Sequence, residues 1–117
     1  MAATQVLRTA GPTTAIAVTT SSSTAVTITP AGTTQVSYCG FLNTASTPIA
    51  ISITPVVAGV GTAVTAAFPT AGSSNNTIVL GVSMGTPMVI AVPPLFQVTA
   101  IGTASSTLYV TPMVDQT

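Results

Sequence analysis

Residues 77–111 read TIVLGVSMGTPMVIAVPPLFQVTAIGTASSTLYVT, and this stretch decides the fold class. Its apolar residues come in short runs, IVL, MVIAV, LFQVTAI and TLYV, each cut off by Gly, Pro or Ser. Runs of that length, rich in β-branched and aromatic residues and bounded by turn formers, mark successive antiparallel strands. The stretch is therefore expected to form the meander or Greek-key end of a β domain.

The rest of the chain repeats this pattern more loosely. Thr13–Thr19 and Thr24–Thr29 alternate apolar with polar residues on either side of Thr20–Ser23, a spacing that predicts a hairpin. A third strand is expected over Thr33–Leu42, with Val36, Tyr38, Gly40 and Leu42 on one face and Gln35, Ser37, Cys39 and Phe41 on the other. Asn43–Thr47 reads as a polar turn. It leads through Pro48 into a fourth strand, Ile49–Val57, where isoleucines alternate with Ala, Ser and Thr. Gly59–Phe68 is a weaker strand, Pro69–Asn76 an exposed loop, and Pro112–Thr117 a polar tail. Residues 1–12, broken at Gly11-Pro12, read as an N-terminal arm or edge strand, leaving 13–117 as one domain. The sum is an all-β chain of about eight strands, a single antiparallel β-sandwich or jelly-roll-like domain.

Composition narrows the function. The 117 residues include one cationic and one anionic side chain, Arg8 and Asp115, and no His. General acid–base chemistry needs groups that titrate near neutrality, and nucleophilic catalysis needs a base beside the nucleophile. Neither is provided, so the chain is not read as an enzyme, and no cofactor or metal cluster is expected. With Arg8 as its only Lys or Arg, it cannot neutralise a phosphate backbone, so nucleic acid is not an expected partner. Attachment to an anionic membrane fails on the same count.

Pro48–Phe68 is uncharged and long enough to span a bilayer. Its two-residue alternation and the interruptions at Pro55, Gly59 and Gly61 argue for strands instead of a membrane helix. No basic and apolar leader is read in MAATQVLRTAGPTT. A near-neutral surface gives little mutual repulsion, so self-association into a homo-oligomer is expected.

Several residues invite a sharper reading. Gly59-Val60-Gly61-Thr62 lacks the lysine and helix of a phosphate loop, and it reads as a strand junction. Asn75-Asn76-Thr77 fits a glycosylation acceptor but also an ordinary loop. Cys39 has no base nearby in sequence and reads as a small buried residue. Met84, Met88, Pro93, Pro94 and Phe96 offer an apolar patch for a partner, against the simpler reading that large apolar residues complete the core. Arg8 and Asp115 are candidates for a register-setting ion pair, within one chain or between neighbours, worth about 0–1 kcal/mol if exposed.

The ending NNTIVLGVSMGTPMVIAVPPLFQVTAIGTASSTLYVTPMVDQ (75–116) resembles the endings of small structural proteins of tailed bacteriophages, with a Pro-flanked VPP strand, a VTAIG strand and a final YVTP strand. The resemblance covers about the last third of the chain and carries over no functional residue. It implies a sandwich subunit of the virion, a capsid decoration or cement protein that binds the major capsid protein or another virion protein and itself, or a part of a head fibre or tail. The alternative is a receptor- or glycan-binding module of a fibre or cell surface, against which stands the scarcity of aromatic residues and the lack of Trp.

Overall fold

The computed structural model describes residues 7–28, 38–57, 60–61, 65–93 and 95–115. Among these there is no helix. Ten strands run in chain order: β1 (Leu7–Thr9), β2 (Thr14–Val18), β3 (Val26–Ile28), β4 (Tyr38–Asn43), β5 (Ile49–Val57), β6 (Val60–Gly61), β7 (Ile78–Leu80), β8 (Met88–Ala91), β9 (Phe96–Gly102) and β10 (Ser106–Asp115).

They form two antiparallel five-stranded sheets. Sheet A has the order β1-β10-β4-β8, with β2 also on β10, and sheet B has the order β3-β9-β5-β6, with β7 also on β5. β1 and β2 are two halves of one edge: they pair with residues 113–115 and 106–110 of β10, on the side away from β4. β6 and β7 likewise share the edge of β5 away from β9. With each pair merged, eight strand positions remain, ordered 1-8-3-6 in one sheet and 2-7-4-5 in the other. This is the connectivity of a jelly roll, an antiparallel sandwich built of interlocked Greek keys.

The break between β1 and β2 has a local cause. Gly11-Pro12 interrupts the edge, and opposite it in β10 stands Pro112, which has no N–H to offer a neighbouring strand. The Pro112 carbonyl still accepts from the Ala10 N–H at 2.8 Å. Two donor-poor segments thus face each other where the ladder lapses.

The core lies between the sheets. Sheet A contributes Ile16, Val18, Cys39, Phe41, Leu108 and Val110; sheet B contributes Ile28, Ile49, Ile51, Leu80, Phe96, Val98 and Ala100. Along β4 the alternation expected from sequence holds, with Cys39 and Phe41 buried and Tyr38 and Leu42 half-buried. Gly102 ends β9 where the sheets close up. A Cβ there would lie 2.9 Å from Val18 Cγ1 and 3.1 Å from the Ala104 carbonyl oxygen, so only glycine fits without movement.

Several sequence expectations are corrected. β2 and β3 do not form a hairpin, because β2 pairs with β10 and β3 with β9, on opposite sheets. Burying Ile16 and Val18 against Ile28 is achieved across the sandwich, not along a ribbon. Of the meander or Greek-key end expected for residues 77–111, the meander is the part corrected: their four strands alternate between sheets B and A, as Greek-key connections do. The polar tail is largely strand, since β10 continues to Asp115 under the pairing of β1 and β4. Of the weak strand at 59–68, the described part reduces to β6, and 65–68 is not strand. Residues 29–37, which hold the start of the expected third strand, lie outside the described residues. No helix among the described residues is long and apolar enough to cross a membrane.

Candidate interaction surface

Among the described residues no three of His, Cys, Asp and Glu come together. Cys39 is fully buried, and burial pushes its thiol up to about 12, against a smaller opposing pull from a backbone hydrogen bond at Thr111. A thiol held neutral in this way is a packing group.

The residues nominated from sequence do not assemble into one patch. Phe96 is fully buried in the core, so it cannot face a partner, and Met84 is half-buried against that core. Pro93 is half-buried, Pro94 lies outside the described residues, and Met88 on β8 is exposed at 39%. Arg8 stands opposite Val114 in the β1–β10 ladder, and Asp115 stands opposite Leu7. The two charged residues are therefore close in register at one end of sheet A but are not cross-strand partners.

The outer faces of the two sheets differ sharply. In sheet B, Ala50, Ser52 and Thr99 alternate with core-facing residues and so point away from the core, yet all three are buried. Ala50 lies outside the core cluster, as does buried Ala66. Hydrogen bonds explain the burial. The Ala66 N–H donates to Ser22 Oγ (3.0 Å), beside Ser23, whose N–H binds the Ala100 carbonyl of β9. The neighbouring Ala67 carbonyl accepts from Asn75 Nδ2 and Thr77 Oγ1, each at 3.0 Å, at the start of β7. Ser23, Ala100, Ile51 and Ile78 lie in one row across the sheet, three strand spacings or about 14 Å wide. Residues 66–67 are tied towards both ends of that row and thus strap the outer face of sheet B.

Sheet A has no corresponding strap among the described residues. Its outward positions fall into five cross-strand rows: Ala17 and Thr107; then Ala15, Tyr109 and Leu42; then Thr111, Gly40 and Val89; then Thr9, Met113, Tyr38 and Ala91; and at the far end Leu7 and Asp115. From Thr107 to Met113 none is charged. Tyr109 and Val89 are exposed at 39% and 44%, and Ala15, Ala91 and Thr9 are exposed as well. Both tyrosines of the chain belong to this face, whereas Phe41 and Phe96 are core residues. Gly40 is covered by Met113: a Cβ there would meet the Met113 methyl at 2.8 Å.

Sequence reasoning missed this face because it looked for a cluster of consecutive residues. The signal was the alternation in YCGFLN and STLYVT, which separates Tyr38, Leu42 and Tyr109 from their buried neighbours. A second group of exposed apolar residues, Val79, Val82 and Met88, lies along the β7–β8 flank. There Asn43, fully buried, donates from Nδ2 to the carbonyls of Thr47 and Gly81 (both 2.9 Å) and accepts from the Ala45 N–H (3.1 Å), tying the β4–β5 turn to the β7–β8 connection.

The geometry supplies a Thr-, Ala- and Tyr-bearing sheet face, uncharged from Thr107 to Met113, that another surface could contact. Searches against protein-family models, curated proteins and solved structures return no significant match.

Proposed function

We propose that this chain is a non-enzymatic structural subunit of a virion, a capsid decoration or cement protein that binds the major capsid protein and copies of itself. The observation that carries the reading is the outer face of sheet A, uncharged from Thr107 to Met113 and exposed at Tyr109, Val89 and Ala15, on a chain with only two charged side chains. A jelly roll by itself does not specify a function, since unrelated proteins share it. Its use in viral capsid domains is consistent with the reading, as is the phage-like ending at 75–116.

Physical chemistry favours a repeating surface as the setting for such a subunit. An uncharged face gains little from long-range attraction, so its binding rests on apolar burial and hydrogen bonds. Individually weak contacts become effective when a shell presents the same site many times and neighbouring copies reinforce one another. The test is direct. Mass spectrometry and cryo-EM of purified particles made from the genome that encodes the chain should find it at regular positions on the head or its accessory structures. Its absence from purified particles would overturn the reading.

A further inference from the structure

We propose that the outer face of sheet A is the face through which two copies of this chain pack on each other, sheet against sheet about a twofold axis. The proposal deepens the structural-subunit reading and rests on it for its biological setting. Three observations carry it.

The first is the asymmetry of the sandwich. The middle of sheet B's outer face, at Ala50, Ser52 and Thr99, is covered by the chain's own 66–67 strap and only its edges are exposed, while the corresponding face of sheet A leaves Tyr109, Val89 and Ala15 exposed. The second is charge. A partner with an ordinary surface, about a quarter of its residues charged, would have to desolvate ions against rows that, from Thr107 to Met113, offer no counter-charge. A second copy packed over those rows brings no charge to desolvate. The third is shape. The face is a sheet whose outward residues alternate with buried ones, and two such faces pack about 10 Å apart with interdigitating side chains. A twofold arrangement needs only this one self-complementary patch.

The size of the face sets the strength. Four strands span about 19 Å, and the seven residues from Thr107 to Met113 about 23 Å, a footprint of roughly 400 Å² per copy. That is about half of what a standard stable interface buries on each partner. Association of isolated chains is therefore weak and concentration-dependent, and it strengthens only when copies are held together.

The experiment is sedimentation equilibrium of the purified full chain up to about 1 mM, the regime of weak association. It is run beside Tyr109→Lys, Ala15→Arg and the control Val79→Lys, with circular dichroism of each. Wild type is expected to show a monomer–dimer equilibrium. Tyr109→Lys places two like charges across the axis and should weaken the dimer by about tenfold or more, and Ala15→Arg should do the same from the neighbouring strand. Val79→Lys, equally exposed but on the edge of sheet B, should leave the equilibrium unchanged. If Tyr109→Lys fails to fold, Ala15→Arg carries the test.

A wild type that stays monomeric throughout overturns the proposal. So does a dimer insensitive to both sheet A variants, or one broken by Val79→Lys, which would place the contact on the β7 edge. Selective glycan binding blocked by Tyr109→Lys in a monomeric protein would overturn it in favour of a carbohydrate site. The two readings fail separately. A monomer found on particles refutes the dimer face alone, and a dimer missing from particles refutes the virion role alone.

Discussion

Replacing Asn43 by alanine is expected to destabilise the fold by about 3 kcal/mol. The side chain is fully buried and makes three hydrogen bonds, to the carbonyls of Thr47 and Gly81 and from the Ala45 N–H. Each such bond contributes about 1 kcal/mol net, and a sealed orphan would cost more. Here Gly81 is exposed and Thr47 only half-buried, so the released carbonyls find water and the estimate stays near one kcal/mol per bond. Against a total stability of about 5–15 kcal/mol, that is a large fraction. At a urea dependence of about 1.5 kcal/mol/M, the midpoint should fall by about 2 M.

Asn43→Asp sharpens the test, because it keeps the shape and the acceptor for Ala45 but replaces the donor with a second oxygen facing two carbonyls. The buried carboxylate is then disfavoured and its pKa in the folded protein rises above the unfolded value. A group with a raised folded pKa contributes stability below its unfolded pKa and loses it as pH rises through the folded one. The aspartate variant should therefore be less stable than the alanine variant at pH 8 and recover on acidification towards about pH 4. Urea titrations followed by far-ultraviolet circular dichroism at both pH values measure this. A cost below about 1 kcal/mol for alanine, or an aspartate variant as stable as wild type at pH 8, would refute the claim that Asn43 is the polar tie between the two connections.

Two further outcomes are expected. Gly102→Ala should cost about 1–3 kcal/mol, since its Cβ would press on Val18 and on the backbone at Ala104, whereas Gly40→Ala should cost less because the flexible end of Met113 can swing away; thermal unfolding of both compares them. Cys39, with its thiol raised by burial to about 12 from an unfolded value of 9.0, should resist thiol reagents in the native state at pH 8. Its neutral form favours folding, so stability should hold below about pH 9 and fall by up to about 1.4 kcal/mol per pH unit above it, a slope that Cys39→Ala should reduce in denaturation measured against pH.

Much of the fold was legible locally. Ile49–Val57 is a strand because its isoleucines alternate with small polar residues, and burial follows the same period of two. The strands of 77–111 were visible because Gly, Pro and Ser cut them to length. The β4 faces were legible for the same reason. Charge content shaped the expectations of function, because nucleic-acid binding and acid–base chemistry need particular ionisable groups.

Pairing was another matter. Nothing in Thr14–Val18 and Val26–Ile28 says that they belong to opposite sheets, since alternation reports that a strand has a buried face but not which neighbour buries it. The extension of β10 to Asp115 depends on β1 and β4, which are distant in sequence. Phe96 could be read as surface or core until the second sheet closed over it. The strap at 66–67 exists only once hydrogen bonds join Ser22 to Ala66 and Asn75 to Ala67. The sequence by itself determined strand length, strand facing and the scarcity of charge, because these follow from neighbouring residues. Only the tertiary structure decided strand order and which outer face is left open, because both depend on contacts between segments far apart along the chain.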